Sequence, residues 1–164
     1  MQIKRNPVGP GQESVWDYPR PPRLEPCASH IQIFFAQTLI AETHQAFRVL
    51  ETSHPPTYYL PPADVRMEYL QRSPGGSFCE FKGAAIYYSL RVGNHQLPSV
   101  AWAYPRPTRG FESLANYLAF FAEPMDGCFV DGERVTPQPG GFYGGWVTSK
   151  VVGPFKGGPG TRGW

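Results

Sequence analysis

The sequence predicts a mainly β domain. Charged residues make up only 17% of the 164 residues, while glycine and proline number 18 and 19, which favours a compact chain with many turns over a helical bundle. Short runs rich in β-branched and aromatic residues also follow one another along the chain, separated by turn residues. A chain of this length suits one domain that can bury a core of its own.

The central part of the chain carries the predicted strands. Each is a short run with alternating or continuous apolar character, bounded by residues that favour turns. In chain order the predicted strands are HIQIFF (30–35), TLIAET (38–43), RVLE (48–51), TYYL (57–60), AAIYYSLRV (84–92) and SVAWAY (99–104).

Turn residues separate these strands and indicate hairpins. Ala36-Gln37 joins the first two strands, and Gly93-Asn94-His95 joins the last two. The strongest hairpin signal is Asp131-Gly132 inside GCFVDGERV, because this dipeptide suits the left-handed positions of a two-residue loop.

Two segments indicate helical structure. ADVRMEYLQR (63–72) predicts a short helix that ends at Ser73-Pro74-Gly75-Gly76. FESLANYLAFF (111–121) is compatible with a helix that runs into a strand, and its register stays open.

The ends of the chain differ from this body. Residues 1–29 form a Pro-rich N-terminal arm, 30–136 the domain itself, and 137–164 a tail dominated by glycine and aromatic residues. Aromatic side chains favour burial, so we expect the tail to pack on the domain or on a partner subunit, with glycines permitting close backbone approach.

Charge and segment composition exclude several classes of protein. The net charge is +2 and the basic excess lies in the two ends, so there is no dense basic stripe and a nucleic-acid partner is not expected. MQIKRNPVGPG lacks the apolar segment of a secretory signal, and no apolar run approaches the roughly 18 residues of a membrane helix. We therefore expect a cytoplasmic protein without a membrane partner.

The cysteines predict reduced thiols. Cys27, Cys79 and Cys128 are far apart and form no C-x-x-C pair. Cys27 and His30 have C-x-x-H spacing, but nothing in the sequence requires further ligands beside them. No cofactor or metal is predicted, and zinc or magnesium remains an alternative.

The pattern W-x-Y-P-R-P-x-R occurs twice, at residues 16–23 and 102–109, with flanks too different for a duplicated domain. Trp102 and Tyr104 stand two positions apart on an extended segment, so they project to the same side. One interpretation is that both copies cap the core with aromatic rings. The other places Trp102 and Tyr104 in the wall of a ligand pocket.

In this second interpretation, polar side chains complete the pocket. Lys82 and Arg106 supply positive charge for an anion, and Tyr59 supplies a hydroxyl. Aromatic walls with a few polar groups are typical of small-molecule sites. These residues, with Trp102 and Tyr104, are the candidate ligand-binding set.

Several ordered motifs carry a family resemblance. RVLETSHPPTYYLPPADV, FCEFKGAAIYY, AWAYPRP, LAFF and VDGERVTPQPGGFYGGW together resemble the domain of unknown function numbered 427, a family also labelled nucleotidyltransferase. The resemblance covers about residues 30–135. It implies a β-tent-like fold, in which two antiparallel sheets with one or two short helices meet along one edge.

The family pattern maps onto Glu51, Asp64 and Cys79, which are the candidate catalytic residues. Glu51 and Asp64 are candidate acid or base groups, and Cys79 is a candidate nucleophile. Glu80 next to the cysteine disfavours a thiolate, whereas Lys82 favours it. Positions 79 and 82 of a strand face opposite sides, so contact between them requires a turn, and a buried, inert Cys79 is the alternative.

The function predicted is binding of a small anionic or planar ligand, including nucleotide-like ones, and an enzymatic reaction of unassigned type stays open. A nucleotidyltransferase is the first alternative, although the chain has no D-x-D pair and no helix-opening phosphate loop. The second alternative is a structural or interaction module whose tail forms a homodimer interface.

Overall fold

A computed structural model describes residues 3–164 of the chain. Strands dominate it. In chain order they are β1 (Glu13–Ser14), β2 (Arg23–Cys27), β3 (Ile31–Phe35), β4 (Thr38–Thr43), β5 (Ala46–Leu50), β6 (Thr57–Tyr59), β7 (Leu70–Cys79), β8 (Gly83–Val92), β9 (His95–Ala103), β10 (Ala119–Phe120), β11 (Gly127–Val130), β12 (Glu133–Arg134), β13 (Thr136–Pro137), β14 (Trp146–Val147) and β15 (Val151–Val152).

The larger sheets are antiparallel. One has the order β10-β9-β8-β7, a second has the order β12-β11-β3-β4, and a three-stranded sheet has the order β2-β5-β6. Strand pairs β13-β14 and β1-β15 add to them, and β1-β15 is parallel. The predicted mainly β class, built from antiparallel sheets, is therefore confirmed.

The hairpins with strong turn signals form as predicted. Ala36 and Gln37 take positive φ values of 50° and 60° between β3 and β4, and Asp131 and Gly132 take 50° and 80° between β11 and β12. Both pairs occupy the left-handed region that two-residue loops require. Local turn chemistry thus fixes the register of these hairpins.

The helix predicted over residues 63–72 is wrong. The helical segments of the described chain are short 3₁₀ helices, at Val15–Asp17, Pro62–Asp64, Met67–Tyr69 and Glu112–Leu114. Val65 is extended between two of them, and β7 begins at Leu70, where pairing with β8 satisfies the backbone groups. Sheet pairing has overridden a weak helical pattern. In residues 111–121, the 3₁₀ helix Glu112–Leu114 precedes the short strand β10.

Three clusters of buried apolar side chains form the core, of which the two largest involve the main sheets. The larger joins buried side chains of β3 and β4, such as Ile33 and Ile40, to those of β9 and β10, such as Ala101 and Phe120. The smaller is aromatic and contains Tyr59, Trp102 and Tyr104. This smaller cluster borders the candidate site.

The arm and the tail are joined to the sheets and to each other. The Pro-rich arm contains β2, which pairs with β5. Trp146 of the tail is buried, and its Nε1 donates to the carbonyl oxygen of Phe120 at 3.0 Å. Trp16 Nε1 donates to the carbonyl oxygen of Pro154 at 2.9 Å. No helix within residues 3–164 has the length and apolar character needed to cross a bilayer.

Candidate functional site

A cavity of about 450 Å³ lies between the end of β5, the β7-β8 turn, β9 and the tail, and is called the central cavity below. Six residues of the sequence-based candidate set line it: Glu51, Tyr59, Cys79, Lys82, Trp102 and Tyr104. The structure thus brings together candidates from four separate segments of the chain.

A tight turn places Cys79 and Lys82 in the same cavity. Cys79 ends β7 and pairs with Gly83, the first residue of β8, so residues 80–82 form the connection. Gly83 has φ of 104°, and a Cβ there would lie 3.3 Å from the carbonyl oxygen of Arg106. The Thr108 backbone N donates to the Lys82 carbonyl at 3.1 Å, which braces the turn from outside. The turn that contact between positions 79 and 82 requires is therefore present.

Lys82 presents a cation to the cavity without a close acidic partner. Among residues 3–164, no carboxylate oxygen lies within 4.0 Å of its Nζ. Burial alone would lower the pKa of Lys82, but the neighbouring Tyr59, Cys79 and Glu51 groups outweigh burial and raise it. The Nζ lies 5.9 Å from the centroid of the Tyr104 ring. Lys82 is therefore charged at neutral pH and has capacity to bind an anion.

Aromatic rings form the wall beside Lys82. Trp102 Nε1 donates to the Tyr59 hydroxyl at 3.3 Å, and the two rings meet edge to face with centroids 6.4 Å apart. The Phe121 ring lies against Trp102 with a centroid distance of 4.7 Å. Burial raises the pKa of Tyr59 and of Tyr104, so both hydroxyls keep their hydrogens at neutral pH.

Glu51 of the lining sits in a set of polar contacts. Arg20 Nη2 lies 3.3 Å and His54 Nε2 3.4 Å from Glu51 Oε2. Burial alone would raise the pKa of Glu51, but the His54 hydrogen bond and the charges of His54, Lys82 and Arg20 lower it. Glu51 is therefore ionised at neutral pH and has partners of its own.

The tautomer of His54 follows from its neighbours. The Gly145 backbone N donates to Gln138 Oε1 at 3.0 Å, which fixes the orientation of that amide. Gln138 Nε2 then donates to His54 Nδ1 at 3.0 Å. Neutral His54 must carry its hydrogen on Nε2, which faces Glu51.

The tail forms the roof of the cavity. A Cβ on Gly144 would lie 2.1 Å from the Cη2 atom of Trp102, so backbone runs directly over the indole. Tyr143 meets His54 edge to face at 4.7 Å, and its ring lies 5.6 Å from Lys156 Nζ. Lys156 Nζ also donates to the Trp164 carbonyl oxygen at 3.2 Å. In the sequence, only the glycine- and aromatic-rich composition of the tail indicated that it packs on the domain.

Two exposed aromatic side chains stand at the mouth of the central cavity. Phe78 is 75% and Phe142 is 77% exposed, and both belong to the lining. The first comes from the end of β7 and the second from the tail. The rim is therefore apolar on two sides.

Two candidate residues lie elsewhere. Asp64, in the 3₁₀ helix Pro62–Asp64, accepts a hydrogen bond from Thr43 Oγ1 at 2.6 Å and does not line the central cavity. The exposed Arg106 side chain also lies outside the lining, although its backbone supports Gly83. Between residues 3 and 164, no three His, Cys, Asp or Glu side chains are grouped so that they could hold a metal ion.

A second cavity of about 610 Å³ lies on the other side of the tail. It shares Phe121, Gln138, Tyr143 and Gly144 with the central cavity. Among the described residues that line it, Glu123 is the one with a charged side chain. The concentration of candidate residues is thus specific to the central cavity.

Comparison with known protein families gives one match. The family described as Domain of unknown function (DUF427) matches residues 23–131, which is more than half of the chain. The matched range contains β2 to β11 and most side chains of the central cavity, but excludes the tail. No curated protein matches the chain.

Proposed function

The chain belongs to the DUF427 family, whose function is unknown, and we propose that it binds a small planar ligand with an anionic group in the central cavity. The observation that carries this proposal is the position of Lys82. Its ammonium group is largely enclosed, lacks a close carboxylate and lies beside the aromatic wall of Trp102 and Tyr104. A charged lysine in such a wall attracts an anionic group, because opposite charges interact more strongly away from bulk water.

The dimensions and lining of the cavity support a small molecule. Its volume of about 450 Å³ falls within the range of roughly 300 to 1,000 Å³ found for ligand sites. Aromatic rings on the wall and at the rim offer stacking surfaces, and the Tyr59 hydroxyl offers a hydrogen bond. A planar ring with one polar end matches this distribution.

The nucleotidyltransferase alternative has less support. Such chemistry usually requires two carboxylates that hold magnesium next to the phosphates. Of the two candidate carboxylates, Glu51 lines the cavity but contacts Arg20 and His54, whereas Asp64 lies elsewhere and binds Thr43. The arrangement favours binding through Lys82 over metal-assisted transfer.

A reaction at Cys79 would be compatible with the same site, because Cys79 lines the cavity together with Lys82. A cytoplasmic protein without a nucleic-acid partner remains part of the proposal. Native mass spectrometry distinguishes the proposed ligand binding from the structural alternative, in which the tail mediates a homodimer. That measurement reports subunit number and copurified ligand together.

Isothermal titration calorimetry with planar anions tests the proposal. We expect saturable binding by the wild-type protein, and at least about tenfold weaker binding by Lys82→Met, because a hydrogen-bonded charge is lost. Arg106→Met is the matched control, since Arg106 is close in sequence but does not line the cavity. Absence of saturable binding across nucleotides, aromatic acids and aromatic sulfonates would overturn the proposal.

A further inference from the structure

We infer that the anionic group recognised in the central cavity is a single carboxylate, so that the ligand class is planar aromatic carboxylic acids and not nucleotides. This inference rests on the proposed function and specifies its ligand. It follows from three features of the lining: the balance of its charges, the partners those charges already have, and the packing around its glycines.

The charges that line the central cavity balance. They are Glu51, Glu80, Lys82 and Lys156, two acids and two bases, and the His54 ring in the same lining is already paired with Glu51 through its Nε2. Sites for nucleoside phosphates concentrate positive charge, because each phosphate brings one or two negative charges. A balanced lining has no surplus for such a ligand.

Existing partners leave one cation for the ligand. Lys156 Nζ already donates to the Trp164 carbonyl and lies over the Tyr143 ring. Glu51 contacts Arg20 and His54, and Glu80 is exposed at the turn. Lys82 is therefore the free enclosed charge, and one negative charge neutralises it.

A phosphate group would bring excess charge into this space. A phosphate monoester carries about −1.5 to −2 at pH 7, so it leaves negative charge unbalanced after pairing with Lys82. Glu51, which is ionised and lines the same cavity, would repel that excess. A carboxylate carries one charge and avoids this penalty.

The glycines around the cavity do not form a phosphate cradle. A cradle needs consecutive backbone N–H groups that face open space. Here Gly144 is packed against Trp102, Gly145 lies against Pro55 and Gln138, and Gly83 lies against Arg106 and Thr108. Side chains supply the hydrogen-bond donors left for an anion. Among them are the Lys82 ammonium and the hydroxyl of Tyr59, which retains its hydrogen while accepting from Trp102.

The lining also orients the ligand. The carboxylate faces Lys82 next to Tyr59, and the planar ring lies along Trp102 and Tyr104. The outer end of the ligand meets the exposed rings of Phe78 and Phe142, which favour an apolar substituent there. An aromatic acid with its ring towards the mouth fulfils each contact.

Matched ligand pairs test this inference by calorimetry on the full chain. Indole-3-acetate is compared with indole-3-acetamide, which has the same shape without the charge, and adenosine is compared with AMP, ADP and ATP. We expect the acetate to bind about tenfold tighter than the amide or more, and each added phosphate to weaken binding relative to adenosine. Lys82→Met reduces the acetate-to-amide ratio to about one, whereas Arg106→Met leaves it unchanged.

The outcomes separate this inference from the proposed function. If affinity rises from adenosine to ATP and exceeds that of the aromatic acids, a planar anion is bound but the carboxylate assignment is overturned. Equal binding of the acetate and the amide would also overturn it. If none of these compounds binds to the wild-type protein, the proposed function itself fails. The melting temperatures of both variants must match that of the wild type, so that a loss of binding is not a loss of folding.

Discussion

Replacing Gly144 with alanine tests whether the tail roofs the central cavity. The new Cβ would lie 2.1 Å from Trp102 Cη2, whereas ordinary contact begins at 3.4 Å, so the two must separate by at least 1.3 Å. Trp102 has little freedom to move, because it is buried, donates to Tyr59 and packs on Phe121. The tail must therefore lift, which stretches the hydrogen bond between the Gly145 backbone N and Gln138.

The magnitude follows from overpacking a buried contact, which costs about 1 to 3 kcal/mol. For a domain of this size each kcal/mol lowers the melting temperature by about 2 to 4 °C, so we expect a decrease of roughly 2 to 12 °C. Differential scanning calorimetry measures the decrease, and tryptophan emission, to which Trp102 contributes as one of four tryptophans, is expected to change with it.

A second glycine of the tail provides the control. An alanine Cβ at Gly163 would meet no atom within 4 Å, and the residue has no positive φ, so Gly163→Ala leaves stability unchanged. If Gly144→Ala melts at the same temperature as Gly163→Ala with unchanged emission, the tail does not lie on Trp102 and the roof is refuted.

Three further predictions follow from individual side chains. Ser53 has φ of 71° and a buried hydroxyl without a partner in the described chain. Ser53→Gly is therefore expected to raise the free energy of unfolding by about 1 kcal/mol in denaturant titrations, and a loss of stability would contradict this. Because the pKa of Glu51 is lowered in the folded protein, its ionised form stabilises the fold at pH values above the usual carboxyl pKa. This stability is lost as the pH falls through the folded pKa. Glu51→Gln should therefore lose less stability than wild type between about pH 5 and pH 3, and equal acid dependence would argue against the His54 contact. Burial raises the pKa of Cys128 to about 12, so iodoacetamide at neutral pH should label half-exposed Cys79 and spare Cys128, which peptide mass spectrometry can check; equal labelling of both would be incompatible with the structure.

Local signals predicted the parts of the fold that local chemistry decides. Asp131-Gly132 and Ala36-Gln37 form the expected hairpins, because the positive φ values of such loops are encoded in two residues. The segment 63–72 was assigned wrongly because Val65 and Tyr69 fit a helical face, while pairing of its end with β8 depends on residues further along the chain. Tertiary pairing of this kind leaves no local pattern.

The sequence predicted the candidate site only in part, because local patterns do not show which distant segments meet. Trp102, near the end of β9, and Tyr104, directly after it, line the same cavity, and the turn at Gly83 brings Lys82 and Cys79 to them. Arg106 belongs to the same motif but follows the end of β9, where the extended alternation stops. The contributions of the tail depend on backbone contacts between distant segments, which composition can suggest but cannot position.

The arm and the tail hold each other in place. Glu13 and Ser14 pair in parallel with Val151 and Val152, and Gln12 Nε2 donates to the Ser149 carbonyl at 2.8 Å. A protease cut that frees the arm thereby removes the support under β15 and loosens the segment that covers the indole at 102. The central cavity is consequently sensitive to damage more than a hundred residues away in sequence, so trimming the first twenty residues for crystallisation would alter its roof.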